Sequence, residues 1–148
     1  MFSPFSPAAL RAAFYGTVAA SLVGAWRGHS LAVTFAGGAV AALGLLLRAV
    51  ARINLGREWR LGAQAGEELV ARGLYRFVRH PAYLGMVLVG LGVVVAMESA
   101  AGLGVLVLGL LPALAFRISV EEAALFERFG EAYASYARRT KRFVPALF

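Results

Sequence analysis

Gly73-Leu74-Tyr75-Arg76-Phe77-Val78-Arg79-His80-Pro81-Ala82-Tyr83-Leu84-Gly85 changes character halfway along. A basic, aromatic-rich segment ends at His80, and an apolar run starts straight after Pro81. Proline lacks an N–H, so Pro81 suits the first turn of a helix and biases His80 toward an extended backbone. The stretch therefore reads as an extended arm carrying Arg76, Arg79 and His80, followed by a helix that enters a membrane near Ala82. Tyr83 belongs to the first turn of that helix, at the same mouth.

The rest of the chain agrees with a membrane setting. Of 148 residues, 60% are hydrophobic and 16% charged, too apolar a mixture for an ordinary soluble domain. There is no cysteine, which removes disulfides, thiolate metal sites and thiol catalysis. The formal net charge is +7, but the cations lie beside apolar runs. Membrane lipids with anionic headgroups explain them better than nucleic acid does. The segment after Met1 lacks a basic start and a small-residue cleavage site, so it reads as retained.

Four apolar runs follow one another, about 8–25, 31–47, 82–97 and 100–116. Trp26-Arg27 closes the first as an interfacial pair, and Arg48 and Arg52 close the second by snorkelling. Residues 53–79 are polar and carry Gly56, Gly62, Gly66 and Gly73, which predicts an interfacial segment with short helical pieces. Glu98-Ser99 leaves room only for a hairpin turn, and Pro112 is expected to kink the fourth run. From Ile118 on, apolar and charged residues alternate at helical spacing, which predicts an amphipathic helix that Gly130 bends. Phe143-Val144-Pro145 is expected to fold back. The expected fold is thus all-α and membrane-integral, one domain over 1–148, with four transmembrane helices, an interfacial segment and a C-terminal amphipathic helix. Seven Arg between Arg48 and Arg79, and five Arg with one Lys from Arg117 onward, put both polar segments and both termini on the cytoplasmic side.

Several residues are candidates for chemistry. Arg117 and Glu121, four apart, share a helix face and read either as a membrane-end anchor with a surface ion pair or as a charged pair aimed into a cleft. Glu122 points about 100° away from Glu121, which suggests two separate jobs. His80 alone reads more readily as structural than catalytic, whereas the cluster Arg79-His80-Pro81-Ala82-Tyr83 offers donors, a stacking ring and a fixed turn together. Tyr133 and Tyr136 share a face and read as interfacial aromatics or as the lining of a cofactor site. Gly90-Leu91-Gly92 and Gly102-Leu103-Gly104 lie inside apolar runs, where close helix packing explains them better than dinucleotide binding. There is no Asp, and the two histidines, His29 and His80, have no zinc-type spacing, so no metal is expected.

Residues 69–85, then Arg117-x-x-x-Glu121-Glu122-x-x-Leu125-x-x-x-Phe129-Gly130-x-x-Tyr133-x-x-Tyr136, then Arg142-Phe143-Val144-Pro145, resemble the isoprenylcysteine carboxyl methyltransferase family. Bacterial relatives and phospholipid N-methyltransferases share much of this pattern, and Gly56-Arg57-Glu58-Trp59 is similar to a further family stretch. The resemblance covers about Leu55 to Pro145. It implies S-adenosylmethionine as methyl donor, bound without a Rossmann domain by parts of 69–85 and 117–145. Tyr75, Arg79, His80, Tyr83, Leu84, Glu122 and Tyr133 would contact or frame it, and Arg117 and Glu121 would face the methyl acceptor. The implied partner is a lipophilic or lipidated substrate, methylated on a carboxylate at the cytoplasmic face of a prokaryotic inner membrane. Alternatives are methylation of a phospholipid or other amine, a small nicotinamide-dependent membrane reductase, and a non-enzymatic adaptor that binds anionic lipid.

Overall fold

The computed structural model describes residues 7–24, 30–56 and 69–143. Among them every regular element is helical: α1 (Pro7–Gly24), α2 (Leu31–Leu55), a 3-10 turn (Gly73–Arg76), α3 (Pro81–Ala96), α4 (Ala100–Val105), a π-helical stretch (Leu106–Leu110), α5 (Leu111–Phe129) and α6 (Glu131–Arg139). Two continuous helical stretches, Leu31–Leu55 and Ala100–Phe129, are long and apolar enough to cross a membrane. α3 is apolar but has only 16 residues. Of the four spans expected, two therefore meet the length and hydropathy requirement on their own. Residues 57–68, which make up most of the expected interfacial segment, lie outside the described residues, as do Trp26 to His29 and the tail beyond Phe143.

The chain divides into two compact units. The first comprises Met1–Leu46 and Gly85–Arg117. Its helices approach closely because small residues stand at their contacts. A Cβ on Gly92 would run into the backbone of Ala41 and Gly37, and one on Gly102 would run into Ser21. Ser99 caps α4, its hydroxyl accepting from the Gly102 N–H at 3.1 Å. Thr17 and Ser21 are fully buried, and each returns its hydroxyl to the carbonyl one turn earlier, at 3.0 and 2.8 Å. Large apolar side chains such as Val23, Phe35, Leu46 and Leu108 remain exposed, as lipid-facing side chains do.

Pro112 cannot donate to the carbonyl four residues before it. The helix answers with the wider π-helical turn just upstream, where the Leu111 N–H bonds back to the Leu106 carbonyl. α2 also runs past the expected end of the second apolar run, through Arg48 and Arg52 to Leu55.

The second unit comprises Leu47–Leu84 and Ile118–Phe148. Ala51, Val70, Tyr75 and Ala82 form its small core, with Leu55 and Leu74 packed against them. Gly73 has φ +57°, and a Cβ there would meet the Asn54 side chain, so the 3-10 turn requires glycine at that point. The other break, between α5 and α6, falls at Gly130, with φ +53°.

Candidate active site

The second unit brings most of the candidate residues together. Pro81 is the first residue of α3, as its chemistry predicts, and the His80 carbonyl accepts from the Tyr83 and Leu84 N–H groups at 3.1 Å each. Leu84 takes part through its backbone. Upstream, the arm is held by a segment far away in sequence. Val78 and Lys141 form a parallel bridge. The Arg79 N–H donates to the Lys141 carbonyl (2.7 Å), the His80 N–H to the Arg142 carbonyl (3.2 Å), and the Lys141 N–H to the Phe77 carbonyl (3.2 Å). The chain after α6 thus folds back onto the arm, through residues 141 and 142.

Glu122 stands at the centre. Arg79 Nη1 donates to its Oε1 at 2.8 Å, and Arg142 donates to Oε2 from Nε (3.0 Å) and Nη2 (2.7 Å). His80 Nε2 lies 3.4 Å from the same Oε1. Glu121 faces elsewhere and accepts from the Tyr83 hydroxyl at 2.6 Å, with His80 Nδ1 3.9 Å from its other oxygen. The imidazole therefore sits between two carboxylates and stacks on Tyr83, with ring centroids 5.8 Å apart. The angular offset of adjacent helical residues gives the two glutamates these different partners.

Glu122 lies beyond the apolar part of its helix, with a side chain only 11% exposed. Burial pushes its carboxyl up, but the hydrogen bonds from His80 and Arg142 and the charge of Arg79 outweigh that and hold it down at about 2. Glu122 is thus a fixed anion, suited to orienting cations and poorly suited to taking up a proton.

Three tyrosines back this cluster. Tyr136 donates to the Tyr75 carbonyl at 2.8 Å, tying α6 to the 3-10 turn. Burial, then the nearby Glu121 charge, pushes the Tyr75 phenol up to about 12. Burial likewise raises the Tyr133 and Tyr136 phenols, so all three stay protonated at neutral pH. Tyr133 packs against Tyr136, with ring centroids 6.0 Å apart. Two buried atoms of the site, Arg79 Nε and Tyr133 Oη, meet no hydrogen-bond partner among the described residues.

Arg117 is half-buried on α5, one turn before Glu121, and belongs to the first unit. The residue that sequence reasoning missed as a site member is Arg142. It stood inside the motif Arg142-Phe143-Val144-Pro145, and the signal that pointed to it was its place at the end of a basic run, next to an apolar tail expected to fold back. Among the described residues no group of three or more His, Cys, Asp or Glu is placed to hold a metal ion.

The model of the family described as phospholipid methyltransferase matches residues 32–132. A protein-S-isoprenylcysteine O-methyltransferase of Schizosaccharomyces pombe is 28% identical over 71% of this chain and 46% of its own length. Protein-S-isoprenylcysteine O-methyltransferase B of Arabidopsis thaliana is 34% identical over 70% of this chain and 54% of its own. The chain thus spans about half the length of these curated relatives. A cobalt-zinc-cadmium resistance protein of Cupriavidus metallidurans is 32% identical over 98% of this chain and 73% of its own length.

Proposed function

This chain belongs to the phospholipid methyltransferase family, and on that premise we propose that it transfers a methyl group from S-adenosylmethionine to the carboxylate of a lipid-like or isoprenylated acceptor at the cytoplasmic face of a membrane. The observation that carries the reading is the Glu122 cluster, in which both halves of the family-like motif converge on one carboxylate. Tyr75, Arg79, His80, Tyr83, Leu84, Glu122 and Tyr133 hold the donor, and Arg117 and Glu121 serve the acceptor. The residues fit such a ligand. Two carboxylates, Glu121 and Glu122, stand beside His80 for the positively charged parts of the molecule, and the Tyr133 phenol is buried next to them. Bound there, the donor supplies a methyl group on cationic sulfur, which leaves as a neutral thioether when an acceptor oxygen takes the methyl.

The protein's own share is placement and dryness. Glu122, fixed by two guanidiniums, holds the arm at Arg79 and His80 in one position. Tyr83 fixes the Glu121 carboxylate. Arg117 orients an acceptor carboxylate, which has no proton to lose. The apolar tail of the acceptor enters from the lipid.

The names of the isoprenylcysteine relatives favour a carboxylate acceptor, while the family's description favours a second reading with a phospholipid amine. In that case the amine sheds a proton on methylation, and Glu121 takes it.

Calorimetric titration of S-adenosylmethionine into the purified protein tests the core of the proposal. Wild type is expected to bind, and Glu122→Ala and His80→Ala to bind more weakly. No heat of binding at millimolar ligand overturns it. Mass spectrometry of lipid extracts incubated with labelled donor then separates O- from N-methylation.

A further inference from the structure

Resting on that reading, we propose that Arg48, on α2, is a positioning residue for the site, because it fixes the peptide group that carries Tyr83. Arg48 reads in sequence as a cation that snorkels from the end of an apolar run. In the structure it is half-buried, and its Nη1 donates to the Ala82 carbonyl at 3.1 Å. A helix carbonyl ordinarily accepts from the N–H four residues on, and its second lone pair stays open to an outside donor. Ionisable side chains of apolar helices are accommodated by such backbone partners. The Ala82 carbonyl belongs to the same planar peptide group as the Tyr83 N–H, which donates to the His80 carbonyl at 3.1 Å. That group is therefore held at both ends, by α2 through its oxygen and by the arm through its nitrogen. Its plane is fixed, and with it the direction in which the Tyr83 side chain leaves the helix.

Through Tyr83 this constraint reaches both carboxylates of the site. The Tyr83 hydroxyl donates to Glu121 at 2.6 Å, and its ring stacks on His80, which lies 3.4 Å from Glu122. A tilt of the first turn of α3 would move all of these contacts together. The rest of the arm is held along the same face of α2. Ala51, three residues after Arg48, is fully buried in one core with Tyr75 and Ala82. Asn54, three further on, lies against Gly73, and its carbonyl accepts from Arg72 Nε at 3.4 Å. Residues three apart share a helix face, and the six residues from Arg48 to Asn54 rise about 9 Å. The part of α2 that runs beyond Leu47 is thus a splint for the arm between Gly73 and Ala82, and Arg48 is where it grips the head of α3.

The test titrates S-adenosylmethionine by calorimetry into the full chain in detergent, as wild type, Arg48→Met, Tyr83→Phe and the double variant. Methionine keeps an unbranched apolar stem and loses the donor. Arg48→Met is expected to raise the Kd about fivefold or more with the number of sites unchanged. In the Tyr83→Phe background the same substitution is expected to raise it less, because the two residues act in series. A residue that only stabilises the fold would instead lower the melting temperature and the number of sites, and leave the Kd of the remaining sites at the wild-type value. That result, or an equal effect of Arg48→Met in both backgrounds, overturns the positioning role while leaving the proposed function standing. Where Arg48→Met yields no folded protein, Arg48→Gln, shorter but still polar, carries the same expectations. A wild type that binds no S-adenosylmethionine overturns the proposed function itself.

Discussion

In the first unit, contacts between helices are made where side chains are missing: Gly92 lies against Ala41, and Gly102 against Ser21. In the second, a helix is gripped by long charged side chains from outside the helices: Arg79, His80 and Arg142 reach the Glu122 carboxylate. The contrast teaches that the two regions answer different solvents. In lipid an apolar side chain gains nothing by leaving its surroundings, so helices associate through close backbone approach. In the second unit, burial of a charge is tolerated because it is paired and hydrogen-bonded.

The largest break in this contrast should come from filling a small-residue contact. A Cβ on Gly44 would stand 2.7 Å from the Gly85 carbonyl oxygen and the Val89 nitrogen, both backbone atoms of the same unit. Gly44→Leu is expected to cost about 3 kcal/mol or more, since backbone yields less than a side chain. Loss of the monodisperse folded species in detergent, followed by size exclusion and thermal melting, checks it.

Next in size is the charge cluster. Glu122 has its carboxyl lowered from 4.5 to about 2, so its stabilising contribution is complete above the unfolded value and is lost as pH falls through the folded one. Melting temperature should therefore decline as pH drops from about 4.5 toward about 2. In Glu122→Gln that decline should be shallower, on top of a lower melting temperature at neutral pH. An identical acid profile in both proteins would remove Glu122 from the account.

Smaller effects sharpen the comparison within the second unit. Arg142 is half exposed, so Arg142→Ala is expected to cost about 1 kcal/mol and to weaken donor binding several-fold. Arg138 pairs with Glu131 at 2.6 Å, but both side chains are mostly exposed, at 63% and 78%. Arg138→Ala should change stability by less than about 0.5 kcal/mol, despite the shorter bond. Parallel melts of the two variants show whether burial or distance ranks the ion pairs.

What could be read in the sequence, and what could not, divides by the range of the interactions. Pro81 at the head of α3 was legible because a missing N–H is a local property. The different partners of Glu121 and Glu122 were legible because helix geometry alone turns neighbours apart. The break at Gly130 followed from glycine itself. The return of residues 141–142 onto the arm was legible only as an apolar end that folds back, because its register depends on hydrogen bonds between backbones far apart in sequence. Arg142 was hidden for the same reason. The π-helical turn was missed because proline chemistry shows which hydrogen bond is lost and not where the helix widens to absorb the loss. Four apolar runs were visible, but length separates Leu31–Leu55 and Ala100–Phe129 from the shorter α3.

The pairing of Phe77–His80 with Lys141–Arg142 has a consequence for biosynthesis. A ribosome releases the arm long before it makes the strand-like piece that covers the arm's N–H groups. Until then Arg79 and His80 have open backbone donors, and Glu122 lacks one of its cations. Glu122 gains its second guanidinium only after the chain beyond α6 has been made.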